Sequence, residues 1–345
     1  MSEQKLFNVA VVGITGAVGQ QIIRLLEERD FPVGELTLLA SARSAGKTVR
    51  FKGKDVTIEE ATPDSFQGVQ IAFFSAGGDI SKELVPAAVK AGAVCIDNTS
   101  AFRMDPETPL VVPEVNIEEA FKNKGVIANP NCSTIQMVAT LKPLYDRYGI
   151  DRVIVSTYQA VSGAGASAIN ELTRQSEQVV KGLEVDPQIL PVSSLAVKHQ
   201  IAFNAIPQID KFLDNGFTNE EMKMVRETKK IMGDESIKVT ATCVRIPVYY
   251  GHSESVYVEL KSDFEMEEIR ELLANAPGIV LEDEPAEQRY PLASTAAGKI
   301  ETFVGRVRRD LDNPRALNLW IVSDNLLKGA AWNAVQIGEH LVQQG

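Results

Sequence analysis

The stretch that most constrains the fold lies near the start of the chain. Phe7-Asn8-Val9-Ala10-Val11-Val12 is a short apolar run, followed directly by Gly13-Ile14-Thr15-Gly16-Ala17-Val18-Gly19 and then by an amphipathic segment over 20–29. Glycines spaced three apart between a strand and a helix let the backbone approach a pyrophosphate at the helix N-terminus, where unpaired N–H groups favour an anion. The pattern is G-x-x-G-x-x-G rather than the commoner G-x-G-x-x-G, so a tight turn without a ligand is the competing reading. The same alternation continues with apolar runs at 35–40, 69–74 and 93–96 and a helical pattern over 79–91. This rhythm predicts an α/β fold with a Rossmann-type, mostly parallel sheet and ligands at the strands' carboxyl ends.

The second strand narrows the ligand. An NAD site usually ends this strand with an acidic residue for the ribose hydroxyls. Here Ser41-Ala42-Arg43-Ser44-Ala45-Gly46-Lys47 stands instead. Hydroxyls and a guanidinium suit a 2′-phosphate, which predicts NADP over NAD; a basic surface loop is the plainer alternative. The net charge of −11 argues against nucleic acid or an anionic membrane as partner, so a phosphate-bearing ligand needs locally placed cations. Charged residues at 23% and hydrophobic ones at 44% suit a soluble globular protein. No signal peptide or membrane span is expected.

A second stretch carries chemistry. The apolar run 125–128 leads into Asn129-Pro130-Asn131-Cys132-Ser133-Thr134-Ile135-Gln136, and a helical pattern spans 133–148. A cysteine at a strand-to-helix turn sits beside unpaired N–H groups whose positive potential favours thiolate. A lone cysteine in a turn is more often a small filler. Following a nucleotide-binding half, Cys132 is read as reactive. Cys95 and Cys243 fall inside strands and read as core. Three cysteines without metal-like spacing suggest a reducing cytoplasm and no metal site. Arg103 follows the Cys95 strand in a polar loop, either solvated or at an anion site.

In the second half a strand over 151–161 runs into Ser162-Gly163-Ala164-Gly165-Ala166 and a helix to about residue 182. Residues 183–209 are aperiodic and contain proline, as expected of an extended excursion or subunit-contact segment. Thr218 and Glu221 form a capping-box pattern at the next helix. Glu220 shares a helix face with Lys223 at i+3, which fits a surface ion pair or an anion and cation offered side by side. Strands over 237–249 and 255–261 flank the turn Gly251-His252-Ser253-Glu254, with Arg245 near the end of the first. Of three histidines, His252 is the best acid/base candidate, with an expected pKa near neutrality. A strand at 317–322 and Asp324-Asn325-Leu326-Leu327-Lys328-Gly329-Ala330-Ala331 lead into a closing helix to 342. The expected organisation is a nucleotide-binding domain over 1–131, an α+β catalytic domain over 132–323, and a helix over 324–345 returning to the first.

Together these pieces resemble the aspartate-β-semialdehyde dehydrogenase family across essentially the whole chain. The matching stretches are Gly13 to Gly19, Asn129 to Thr134, Tyr158 to Gly165, Arg245 to His252, and Asp324 to Ala331. The resemblance implies NADPH-dependent reduction of L-aspartyl 4-phosphate to L-aspartate 4-semialdehyde with release of phosphate, by a homodimer joined through the second domain. It implies Cys132 as the nucleophile forming a thioacyl-enzyme and His252 as acid/base catalyst. Gln159 would position substrate and intermediate, Arg245 would clamp the α-carboxylate, and Glu220 would partner the α-ammonium. Arg103, Asn131 and Lys223 match the phosphate site. Thr15, Gly16, Ala17, Val18, Ser41, Arg43, Ser44, Ser162, Gly163 and Asn325 match cofactor contacts, although Asn325 departs from the glutamine of another branch. N-acetyl-γ-glutamyl-phosphate reductase is the nearest rival, and a nucleotide-sensing scaffold without catalysis is the rival from another class.

Overall fold

The computed structural model describes residues 5–344 and divides the chain into two compact units. One runs up to Asn131 and resumes at Ala330; the other is Cys132–Gly329. The first begins with β1 (Phe7–Val12), α1 (Ala17–Glu28), β2 (Val33–Ala40), β3 (Thr48–Phe51), β4 (Lys54–Glu60) and β5 (Ile71–Phe74). It continues through α2 (Gly78–Lys90), β6 (Val94–Asp97), α3 (Pro113–Ala120) and β7 (Val126–Ala128). The sheet order is β3-β4-β2-β1-β5-β6-β7, parallel except for the β3–β4 hairpin. That order reverses direction around β1, as in Rossmann-type folds, and places the loops after β1, β2, β5, β6 and β7 at one edge. The hairpin was not expected from the sequence. Its strands are short and largely exposed, so no buried stripe announces them.

Local chemistry explains the start of this unit. Gly13 has φ +89, and a Cβ there would stand 2.8 Å from the backbone of Ser75 and Ala76. A Cβ on Gly19 would stand 2.4 Å from the Gly13 carbonyl oxygen, so α1 can lie on the turn only with glycine at that position. Ile22, Ile23, Leu25 and Leu26 then bury one face of α1.

The second unit opens with α4 (Cys132–Tyr148), β8 (Ile150–Gln159), α5 (Ala166–Val180), α6 (Asn219–Met232), β9 (Lys238–Arg245) and β10 (His252–Leu260). It closes with α7 (Met266–Asn275), β11 (Ile279–Leu281), α8 (Ala293–Ala296), β12 (Thr302–Arg309) and β13 (Ala316–Ser323). Its mixed sheet has the order β11-β12-β13-β10-β8-β9, with α4, α6 and α7 against one face. The capping box at Thr218 and Glu221 is present, and Gly233 ends α6 in the left-handed conformation. Beyond Gly329 the chain enters α9 (Trp332–Gln344), which packs on α1 and α3 of the first unit. There Arg29 pairs with Glu339 at 2.9 Å and lies over the Trp332 ring.

The two largest departures of strand limits from expectation each have a visible reason. β9 stops at Arg245 because, after a last ladder bond from Ile246 N–H to the Gln159 carbonyl, Pro247 has no N–H to offer and Val248 N–H turns back to the Ile246 carbonyl at 2.9 Å. β10 starts at His252 rather than after the turn, since His252 pairs with Ser323 of β13. The irregular excursion after α5 is held by two buried side chains of that helix. The Glu171 carboxylate accepts the N–H groups of Gln188, Ile189 and Leu190, and Gln175 Oε1 accepts those of Ile201 and Ala202.

Candidate active site

The second unit's sheet gathers four expected residues on its helix-covered side. Gln159 ends β8 and pairs in register with Arg245, which ends β9, while His252 begins the adjoining β10. All three are buried, and the alternation along each strand points them toward α4 and α6. Glu220, in the first turn of α6, completes the cluster.

Hydrogen bonds fix each side chain in turn. Thr157 Oγ1 donates to Gln159 Oε1 at 2.9 Å, which leaves Gln159 Nε2 to donate to Glu220 Oε1 at 3.1 Å. Glu220 Oε2 accepts Lys223 Nζ at 3.0 Å, and Lys223 also reaches Asp210 Oδ2 at 3.3 Å. Arg245 Nη1 donates to the Ala160 carbonyl at 2.7 Å. The ion pair suggested by the i+3 spacing therefore exists, but its anionic end is buried and aimed at Gln159. Glu220 already has a cation beside it, so its burial alone does not demand an ammonium from a ligand.

His252 departs from expectation. Complete burial pulls its pKa down to about 3, helped by the Arg245 cation and opposed by Glu220. At neutral pH the ring is uncharged, not poised near half-protonation. The Ala160 N–H donates to His252 Nδ1 at 3.0 Å, and this shorter contact places the neutral ring's proton on Nε2, which lies 3.4 Å from Gln159 Nε2. Protonating Nδ1 would set two donors face to face.

Cys132 is the first residue of α4 and is partly exposed. The helix start favours negative charge there. The other two thiols are buried, Cys95 with its pKa pushed up to about 12 by burial and Cys243 pushed up further by burial and by Glu220. Cys132 is thus the accessible thiol, and a thiolate there favours the charged form of Arg245 against the burial that opposes it. Gly329 lies against it: a Cβ there would come 2.8 Å from Cys132 Cβ. A Cβ on Gly163 would stand 3.0 Å from Arg245 Nη1 and 3.4 Å from His252 Nε2, so this turn lies directly on the cluster. Asn325 Oδ1 accepts the Gly251 N–H at 3.0 Å, and Asn325 Nδ2 donates to Ser162 Oγ at 2.9 Å. Both side chains are buried and brace the turn leading to His252.

The remaining expected residues belong to the first unit. Thr15 and Gly16 are exposed, Ala17 and Val18 half-buried, and α1 begins with no acidic residue and no side-chain cap, so its first N–H groups remain available to an anion. Ser41 and Arg43 are exposed after β2, and Ser44 is buried beside them. This donor set fits a dinucleotide with a 2′-phosphate. Arg103 is buried rather than solvated, and it joins the loops after β6 and β7 through the carbonyls of Asn98 at 2.8 Å and Asn129 at 2.9 Å. Asn129 Oδ1 also accepts Asn333 Nδ2 of α9 at 2.7 Å, so the C-terminal helix helps hold the Asn129-Pro130-Asn131 segment. Asn131 is buried at its end.

Known proteins match both halves. Residues 8–123 match the semialdehyde dehydrogenase NAD-binding domain, and residues 141–328 match the semialdehyde dehydrogenase dimerisation domain. The chain belongs to the semialdehyde dehydrogenase family. Within that family, the aspartate-semialdehyde dehydrogenase of Bacillus subtilis (strain 168) is 59% identical over 97% of this chain and 97% of its own. The crystal structure of aspartate semialdehyde dehydrogenase II from Vibrio cholerae complexed with ASA has a TM-score of 0.93 at 50% identity, covering 98% of this chain and 99% of that one. The structure of aspartate semialdehyde dehydrogenase with NADP from Candida albicans has a TM-score of 0.74 at 25% identity, covering 97% and 98%.

Sequence reasoning missed Thr157, Asp210 and Gly329. Thr157 carries a signal in hindsight, since it shares a strand face with Gln159 two residues on. Asp210 lies in irregular backbone and Gly329 is remote in sequence from Cys132, so no local pattern marks either.

Proposed function

We propose that this chain is an aspartate-semialdehyde dehydrogenase, reducing L-aspartyl 4-phosphate with NADPH to L-aspartate 4-semialdehyde and phosphate. In that role it feeds lysine, threonine, methionine and isoleucine synthesis in the cytoplasm. The carrying observation is the buried Gln159–Glu220–Arg245–His252 cluster in the same unit as a partly exposed Cys132 at a helix start. A short amino acid brings a carboxylate and an ammonium, and the cluster offers a guanidinium and a carboxylate of opposite preference.

The Cys132 thiolate forms a bond to the acyl carbon, the bond from that carbon to the phosphate oxygen breaks, and phosphate leaves with the electron pair. Lys223 is assigned to the phosphate, and Arg103 and Asn131 carry the same assignment. Thr15 to Val18, Ser41, Arg43, Ser44, Ser162, Gly163 and Asn325 are assigned to the cofactor, which when bound supplies a hydride to the acyl carbon. Cleavage of the carbon–sulfur bond then frees the aldehyde and returns the thiolate. His252 presents Nε2–H to the charge that builds on the acyl oxygen. A substrate carboxylate on Arg245 cancels one of the effects holding His252 neutral, so the ring gains basicity in the complex and can move a proton there. Gln159, fixed by Thr157, orients the acyl group.

A homodimer formed through the second unit accords with the name of the domain matched over 141–328 and with partly exposed Ile154 and Tyr158 on the sheet face opposite the helices. Among the described residues no helix is long and apolar enough to cross a membrane, and no cluster of metal-binding side chains occurs. The decisive assay is phosphate-dependent reduction of NADP by aspartate semialdehyde, run on wild type and Cys132→Ala. We expect turnover only with phosphate and only with Cys132 present, with NADPH affinity in the variant within a few fold. Phosphate-independent turnover, a fully active variant, or efficient use of N-acetylglutamate semialdehyde would refute the assignment.

A further inference from the structure

Glu254 lies two residues beyond His252 on β10, on the same face, and takes no part in the chemistry above. It is fully buried, and neither carboxyl oxygen is in good hydrogen-bonding geometry with a donor, although the Gln136 amide lies close enough to act on it. It is level with Thr157 of β8, which is in turn level with Cys243 of β9, so the three form a row directly beneath Gln159, Arg245 and His252. Across from it stands Gln136 of α4, one turn past Cys132. Gln136 Nε2 donates to the His252 carbonyl at 3.4 Å, while Gln136 Oε1 is buried with no donor. Two side chains thus face each other with three unsatisfied acceptor oxygens between them. Such an arrangement is costly unless one group carries a proton.

A proton on Glu254 resolves all three. The acid O–H then donates to Gln136 Oε1, the second hydrogen of Gln136 Nε2 donates to the acid carbonyl, and the first remains on the His252 carbonyl. We infer that Glu254 is an uncharged carboxylic acid in the working protein, and that its paired contact with Gln136 is the tie setting the Cys132 helix against the His252 strand. Burial pushes the Glu254 carboxyl well above the usual range, and the Gln136 amide opposes that only in part. The facing Cys243 thiol is neutral as well, its pKa raised by burial and by the Glu220 and Glu221 carboxylates. Glu254 is therefore a positioning residue: it touches no reacting atom and acts through Gln136. This role rests on Cys132 and His252 being the reacting pair, but the protonation state does not.

The test uses the full chain with Glu254→Gln and Glu254→Leu. An amide in place of the acid can make the same two-way contact without charge, so Glu254→Gln should keep kcat, KM and the rate of Cys132 alkylation by iodoacetamide within about twofold. Its infrared spectrum at neutral pH should lack one protonated-carboxyl carbonyl band that the wild type shows. Glu254→Leu leaves Gln136 Oε1 unsatisfied and should lower kcat and the alkylation rate by roughly tenfold per folded molecule, with the aldehyde KM little changed. Absence of the infrared band in the wild type would overturn the uncharged acid. Wild-type kcat and alkylation in Glu254→Leu would overturn the positioning role. If that variant does not fold, Gln136→Leu replaces it with the same expectation and the same refuting result. Alkylation needs no substrate, so a wrong substrate assignment leaves this readout standing.

Discussion

Replacing Gly329 with alanine adds one methyl group at the point where the turn Leu327–Ala331 meets the nucleophile. The new Cβ would stand 2.8 Å from Cys132 Cβ and 3.3 Å from its Cα. Carbon atoms in contact settle at about 3.5 Å or more, so something must move by about 0.7 Å. The turn is the stiffer side. Asp324 Oδ1 accepts the N–H groups of Leu326 at 2.8 Å and Leu327 at 3.1 Å, Asp324 Oδ2 accepts Gly298 N–H at 2.7 Å, and the Asp324 carbonyl accepts Gly329 N–H at 3.0 Å. Cys132 is therefore expected to yield. Overpacking should cost about 1–3 kcal/mol of stability. A nucleophile displaced by a sizeable fraction of an ångström should lose roughly ten- to hundredfold in kcat, given that about 1 Å costs about a hundredfold. Steady-state kinetics per folded molecule, iodoacetamide alkylation of Cys132 and thermal unfolding measure these separately. A lower Tm with unchanged kcat and alkylation would mean that the turn gives way instead, and would refute the reasoning.

Other expectations concern charge. Arg43→Ala should weaken NADPH binding by roughly 1.5–3 kcal/mol and leave NADH binding nearly unchanged, measured by fluorescence titration; equal losses would remove Arg43 from the 2′-phosphate. Glu220→Gln removes a buried carboxylate from its pair with the partly exposed Lys223 and should cost roughly 2–4 kcal/mol in kcat/KM for aspartate semialdehyde, while a neutral effect would return Glu220 to a structural role. For His252, the folded pKa of about 3 lies below the ordinary 6.5, so between those values the unfolded chain holds a proton that the folded chain does not. Stability should therefore fall as pH drops through that window, and His252→Gln should flatten the slope in denaturant titrations; an unchanged slope would contradict the buried neutral ring.

The βαβ rhythm, the glycine turn and the strand-to-helix placement of Cys132 were legible in the sequence because each is a local pattern of period, spacing and turn chemistry. The capping box of α6 and the core positions of Cys95 and Cys243 were legible for the same reason. The β3–β4 hairpin escaped because largely exposed strands bury no regular stripe. What only the tertiary structure decided is how the second unit's site is poised. Gln159 is aimed by Thr157 and Glu220, His252 is kept neutral by burial and by Arg245, Lys223 is shared between Glu220 and Asp210, and Glu254 faces Gln136. Gln159 and Glu220 are 61 positions apart, Gln136 and Glu254 come from a helix and a strand well separated in the chain, and even the neighbours Arg245 and His252 sit on different strands. A residue's identity supplies the functional group, but its protonation and orientation depend on neighbours that only the folded sheet and its covering helices bring within reach.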